Sequence, residues 1–221
     1  YIHENQLVSA GKLLANGKLV AFPTETVYGL GADARSDKVI QALFEAKGRP
    51  TDNPLIVHVA SIDQIEPLVS NVNEYTRLLM VRFWPGPITL VFPKSKLVSN
   101  LVTAGLDTVA IRIPSHPWAL TILREAQVPV AAPSANRSGS PSATTWQAVQ
   151  QDLDHRVDAI VCGPPTQIGL ESTVVDATGT IPRILRPGKV TLEELKLVCP
   201  GILPYTGHAN MLTATLNSPG L

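Results

Sequence analysis

The sequence predicts a layered α/β domain built on a mixed sheet. Three observations carry that reading. Short β-branched apolar runs recur along the chain, segments of helical periodicity separate many of them, and some runs are joined by links too short for a helical crossover. The 221 residues suffice for one core, which at this length buries roughly 70% of the unfolded surface. In order, residues 6–16 have helical spacing and lead into a strand at 19–22. Residues 36–47 place Val39, Ile40, Leu43 and Phe44 on one helix face, with Ser36 as N-cap and Gly48 as the stop. A strand follows at 55–59, a helix at 73–83, strands at 88–92 and 109–113, a helix at 117–126 and a strand at 128–132. A helix at 144–152, strands at 159–162, 173–176 and 184–186, and a helix at 191–198 complete the pattern. From Pro200 the sequence turns to Gly, Pro, Thr, Asn and Ser with little periodicity. The expected division is therefore a domain over 1–199 and a linker or lid over 200–221.

Acidic and basic residues balance at 18 each, which argues against a chain that coats nucleic acid through bulk charge. Any basic site must be local. Cys162 and Cys199 have no metal-ligand spacing and read as small apolar residues. The sequence has no long apolar span and no secretory segment at its start, so a cytoplasmic protein without a membrane is expected. The chain begins at Tyr1 and not at Met, so a trimmed transit segment would place it in an organelle matrix instead.

The segment Lys47-Gly48-Arg49-Pro50-Thr51-Asp52-Asn53-Pro54-Leu55-Ile56-Val57-His58 reads as an anion site. Lys47 and Arg49 leave one helix end together, and Pro50 and Pro54 stiffen the crossing into the strand, so both cations, Asn53 and His58 can converge on one charged ligand. The alternative is a helix C-terminus complemented by two cations, worth about 0.3–1 kcal/mol each. A second segment, Pro23-Thr24-Glu25-Thr26-Val27-Tyr28-Gly29-Leu30-Gly31, ends a strand in hydroxyls, a carboxylate and glycines, where small polar ligands are commonly held. Arg112 lies inside the apolar strand at 109–113 and needs a ligand anion or a structural partner such as Glu171 or Asp176. Thr108 shares its face by period-two alternation. The run from Pro133 through Ser134 to Ser142 is small and hydroxylated, suited to phosphate or a base edge. Glu171-Ser172-Thr173 at a strand start and Arg186 at a strand end repeat the theme.

There is no GxxxxGK[ST] loop, GxGxxG, GxSxG elbow or HExxH helix, and no residue is an obvious nucleophile. The pattern fits catalysis by aligning two substrates and neutralising phosphate charge. The blocks at 23–31, 47–58, 109–114, 133–142, 171–176 and 185–188, taken in that order, resemble those of the YrdC-like family, the threonylcarbamoyl-AMP synthases. The resemblance implies a twisted mixed sheet flanked by helices, with a large concave cationic pocket. It also implies synthesis of threonylcarbamoyl-adenylate and pyrophosphate from L-threonine, bicarbonate and ATP, feeding the threonylcarbamoyl modification of adenosine in tRNA. By motif, threonine would meet Thr26, His58 and Arg112, with Thr24, Ala132 and Ser172 or Thr173 nearby. ATP would meet Lys47, Arg49, Asn53, Thr108, Ser134, Ser142 and Arg186, with Lys47 and Arg49 as the catalytic cations. Magnesium would be held by the ATP phosphates, with no protein metal site. The expected partners are a downstream tRNA-modifying transferase and, transiently, tRNA. Ser218-Pro219-Gly220-Leu221 resembles the start of the linker in the family's two-domain long form, making this its N-terminal catalytic domain. Two other readings use the same concavity: a non-catalytic module for double-stranded RNA or tRNA, and an acylphosphate or carbamoyl-transfer domain of a larger enzyme. Missing zinc-finger cysteines weigh against the latter.

Overall fold

The structure, a computed structural model, describes residues 1–207. The Ser218-Pro219-Gly220-Leu221 segment and most of the expected linker or lid lie outside them. Strands β1 (Val20–Pro23), β2 (Tyr28–Asp33), β3 (Ile56–His58), β4 (Ile88–Pro93), β5 (Thr108–Arg112), β6 (Val130–Ala131), β7 (Ala159–Ile160), β8 (Thr173–Asp176) and β9 (Arg183–Arg186) form one sheet in the order β7-β1-β2-β6-β3-β5-β4-β8-β9. It is mixed, as expected: β7 with β1, β3 with β5 and β4 with β8 run parallel, and the other neighbours antiparallel. The edge extends past residue 199, because Leu203 bridges Arg183 and its N–H donates to the Pro182 carbonyl at 2.9 Å.

The helices are α1 (Leu7–Ala15), α2 (Asp37–Lys47), α3 (Glu74–Phe83), α4 (Asn100–Thr103), α5 (Pro117–Ala126), α6 (Trp146–Leu153) and α7 (Leu192–Lys196). Side-chain caps set several starts: Asn73, Thr145 and Thr191 each accept a backbone N–H of the first turn. None of these helices is long and apolar enough to cross a membrane. Helices α1 and α5 pack together over β1 and β6, joining Ala10, Leu14, Phe22, Ile122, Leu123 and Val130 in one core. On the other face Leu43 and Phe44 of α2, Leu79 of α3, Leu153 of α6 and Leu195 of α7 share the main core with Val57, Leu90, Ile111 and Val175.

This unequal cover creates the site. Alternation along the strands sends Val57, Ile111, Leu90 and Val175 into the main core, and Ile56, Ala110, Val91 and Val174 to the opposite face. The α1/α5 core includes no residue of β3, β4, β5, β8 or β9. That half of the face becomes the floor of a concavity.

Strand β2 was not legible as a strand. Its sequence Tyr28-Gly29-Leu30-Gly31-Ala32-Asp33 carries two glycines, a composition typical of turns. Packing explains Gly31: a Cβ there would lie 2.8 Å from Phe22 Cε1 and 3.0 Å from Leu14 Cδ2 and Val130 Cγ1. Helix α4 is too short to show a period.

Candidate active site

Helix α2 delivers the first two cations. Gly48 caps it at φ 61°, and the Arg49 N–H returns to the Phe44 carbonyl at 3.0 Å, a left-handed end that releases Lys47 and Arg49 side by side. Lys47 Nζ donates to the carbonyls of Ser134 and Asn136, and the Ser138 N–H donates back to the Lys47 carbonyl at 2.9 Å. One lysine therefore pins the loop that follows β6, and in its protonated form one N–H of three is left for a ligand. Burial draws the Lys47 pKa down to about 7 and the Arg49 charge adds to this, against the pull of Glu171 and Asp152. Arg49 is held more loosely. Its Nη2 reaches the carbonyls of Asn53 and Pro54 only at 3.4 and 3.5 Å, and its Nε is buried with no hydrogen-bond partner among the described residues, as is Asn136 Oδ1. Lys47, Arg49, Asn53, Asn136, Ser140 and Ser142 line a cavity of about 260 Å³.

A tighter cavity of about 40 Å³ opens on the sheet floor, lined by Thr24, Thr26, His58, Arg112, Ala132 and Ser172 among others. Arg112 ends β5 beside His58 of β3, their Cα atoms in register. Its Nε donates to the Gly86 carbonyl at 3.2 Å and its Nη1 to Thr26 Oγ1 at 2.8 Å. Thr24 donates its hydroxyl to the Val27 carbonyl at 2.6 Å. Its contact with Thr26 at 2.9 Å must then be a bond donated by Thr26, so a polarised chain runs from Arg112 through both hydroxyls. The anion opposite Arg112 is Glu25, with Oε1 2.6 Å from Nη2, instead of the Glu171 or Asp176 weighed from sequence. Burial pushes the Glu25 carboxyl up, but the Arg112 charge and contact outweigh it and hold it below the usual range. Burial and the Arg112 charge together push His58 down to about 3, so its imidazole is neutral at physiological pH. Its Nδ1 lies 3.3 Å from the Ile56 carbonyl, and as donor there it leaves Nε2 as an acceptor.

The two cavities share Ser134 and Glu171. Of the residues expected on threonine, Thr24, Thr26, His58, Arg112, Ala132 and Ser172 line the small cavity; of those expected on ATP, Lys47, Arg49, Asn53, Ser134 and Ser142 line the large one. Arg186, expected on ATP, lines the small cavity and meets the large one through its ion pair with Glu171. Thr173 is fully buried, donating to and accepting from the backbone of Val190 at 2.8 and 3.1 Å, and Thr108 sits opposite Pro93 at the start of β5; neither is among the residues lining these two cavities. The concavity is less cationic than expected, since Glu25 and Glu171 pair with Arg112 and Arg186. Sequence reasoning missed Asn136 and gave no role to Glu25. The signal for Glu25 was a carboxylate in the short turn after an apolar strand, where burial demands a cation. Both cysteines are unpaired, with thiols pushed up by burial, consistent with apolar roles. A larger cavity, about 490 Å³ among Ile62, Glu66, Val72, Arg77 and Met80, shares no residue with these two.

The model of the Sua5–YciO–YrdC family, described as telomere recombination, matches residues 12–188. The chain belongs to this family. It is 47% identical over 220 residues to a threonylcarbamoyl-AMP synthase of Pyrococcus abyssi, covering 100% of this chain and 65% of that protein. It is 52% identical over 197 residues to the synthase of Bacillus subtilis, covering 89% of this chain and 57% of that one. The P. abyssi Sua5 protein solved in complex with L-threonine superposes with a TM-score of 0.93 at 46% identity, over 99% of this chain and 66% of its own. The chain thus spans between about half and two-thirds of these relatives. The Sua5–YciO–YrdC fold here is the mixed sheet with helices on both faces described above.

Proposed function

We propose that this chain carries the catalytic site of a threonylcarbamoyl-AMP synthase. It would convert L-threonine, bicarbonate and ATP to threonylcarbamoyl-adenylate and pyrophosphate, for the threonylcarbamoyl modification of adenosine in tRNA. One observation carries the reading: a small cavity with a guanidinium, hydroxyls and a neutral imidazole adjoins a larger one with Lys47 and Arg49, and Ser134 and Glu171 form the wall between them. An amino acid and a polyphosphate would be neighbours there. The names of the P. abyssi and B. subtilis relatives and the threonine complex of P. abyssi Sua5 support it.

In this reading Arg112 receives the threonine carboxylate, with Thr24, Thr26, Ala132 and Ser172 around it. Neutral His58 accepts a hydrogen bond from the substrate's amine or hydroxyl. The amine attacks carbon dioxide derived from bicarbonate and forms a carbamate, its proton combining with the hydroxide that bicarbonate releases to give water. A carbamate oxygen then attacks the α-phosphorus of ATP, and the bond to the bridging oxygen breaks as pyrophosphate leaves. Lys47, Arg49, Asn53, Ser134, Ser142 and Arg186 hold the nucleotide, and the two catalytic cations offset the charge that grows on the leaving pyrophosphate. No covalent intermediate with the protein is required, so alignment is the main demand. Among the described residues no cluster of three or more His, Cys, Asp and Glu could hold a metal ion. Magnesium would arrive as part of the substrate, on the ATP phosphates. The adenylate product is a mixed anhydride that water destroys, so a tRNA-modifying transferase is the expected recipient and tRNA a transient contact. The cytoplasm, or an organelle matrix, is the proposed compartment.

The test is to incubate the chain with ATP and bicarbonate and measure pyrophosphate with and without L-threonine. Release that depends on both threonine and bicarbonate is expected. Threonine-independent release would overturn the assignment.

A further inference from the structure

Among the described residues, Glu171 is the one ionisable residue common to both cavities, and the reaction above does not use it. Its two carboxylate oxygens have different partners. Oε1 accepts from Ser142 Oγ at 2.9 Å, on the loop that follows β6. Oε2 forms the ion pair with Arg186 Nη1, at the end of β9. The backbone beneath is fixed. A Cβ on Gly188 would lie 2.4 Å from Thr173 N and 2.6 Å from the Glu171 carbonyl oxygen, so only glycine lets that turn press on the Glu171-Ser172 segment. Arg186 is buried and also donates to the Ser172 carbonyl at 3.2 Å from Nε and 3.0 Å from Nη2, and to Ser172 Oγ at 3.1 Å. Ser172 Oγ in turn lies 2.7 Å from Thr89 Oγ1. This framework locks the guanidinium in place. The carboxylate is its least buried member, with 27% of the side chain exposed against 8% for Arg186.

We propose that Glu171 is a resident anion that occupies the polyphosphate groups of the site until the nucleotide arrives. It is a positioning residue: in the free protein it holds Arg186 and Ser142 in register, and an incoming phosphate takes both over. The proposal rests on the reading of the large cavity as the nucleotide site and adds what that site does when free. Four cations, Lys47, Arg49, Arg112 and Arg186, line the two cavities. Leaving Arg186 buried without an anion would be costly, whereas a carboxylate that can swing toward solvent is exchangeable. The same Glu171 charge also acts on Lys47, Arg49 and Arg186 against the effect of burial. When pyrophosphate leaves, the carboxylate can return to Arg186 and Ser142, competing with the product and speeding its release. Binding strength is given up so that the site can turn over.

Inorganic tripolyphosphate tests this without requiring catalysis. Glu171→Gln keeps the size of the side chain and one acceptor oxygen for Arg186 but removes the competing charge. Its tripolyphosphate Kd should fall about tenfold below that of the unaltered chain, as expected for removing one like charge several ångströms from a polyanion at a partly buried site. Glu171→Asp, which keeps the charge, should stay within about threefold of the unaltered chain. Adenosine, which carries no charge, should bind each variant as before, a readout that general damage to the fold would shift. Equal or weaker tripolyphosphate binding by Glu171→Gln would overturn the proposal. Should that variant fail to fold, nuclear magnetic resonance of the Arg186 guanidinium in the unaltered chain decides: its signals should move on adding tripolyphosphate, and unmoved signals at saturation would contradict the exchange. A chain that released no pyrophosphate with threonine would overturn the synthase reading, while the tripolyphosphate comparison would still decide the role of Glu171.

Discussion

Lys47 shows how one side chain serves both fold and site. Its ammonium pins the Ser134 and Asn136 carbonyls, yet with a pKa drawn to about 7 it is largely uncharged at pH 8 until an anion arrives. ATP binding at pH 8 should therefore take up close to one proton, measured as a dependence of the binding enthalpy on buffer ionisation, and Lys47→Arg should abolish the uptake. Arg49, with only long bonds to Asn53 and Pro54, contributes little to folding. Arg49→Ala should cost under about 1 kcal/mol in urea unfolding and weaken ATP binding at least about tenfold; equal losses would make Arg49 structural. Arg112 is the opposite case, because Arg112→Ala strands buried Glu25 and should destabilise the fold by about 3–5 kcal/mol. His58 adds a pH dependence. Its folded pKa of about 3 lies below the ordinary 6.5, so below pH 6.5 the unfolded chain binds a proton that the folded chain does not. Stability is lost as pH falls from 6.5 toward 3, by up to about 1.4 kcal/mol per pH unit from this group, and His58→Gln should flatten that slope.

At the scale of elements, what could be read from sequence and what could not divide along physical lines. Helix α2 was legible to within a residue, because its apolar spacing, Ser36 and Gly48 all report local backbone preferences. Strand β2 was not, because Gly31 exists for contacts with Leu14, Phe22 and Val130, which come together only after folding. The site divides in the same way. Lys47, Arg49 and His58 could be grouped because they are neighbours in sequence. The Arg112–Glu25 pair spans β5 and the turn after β1, so its partner could not be chosen without the sheet order. Gly188 belongs with Gly31 as a contact glycine. Gly188→Ala should lower stability by about 1–3 kcal/mol through overpacking, and the displaced Glu171-Ser172 backbone should raise KM for both ATP and threonine. An unchanged KM for both would show that the turn does not position the site.

Across the whole molecule, function follows from an asymmetry of cover. Helices α1 and α5 shield one half of a sheet face, and the other half is left as a floor on which His58, Arg112 and Ser172 stand beside the loop that Lys47 holds. The chain's balanced charge is compatible with such a site because its cations are gathered locally and partly paired. The central claim is that amino acid and polyphosphate lie side by side across the wall formed by Ser134 and Glu171. The most direct test is a crystal structure of this chain with L-threonine and a non-hydrolysable ATP analogue bound together. The threonine carboxylate should lie on Arg112 and the triphosphate along Lys47 and Arg49, with the amine facing the α-phosphorus across that wall. A triphosphate bound away from Lys47 and Arg49, or a threonine away from Arg112, would contradict the account.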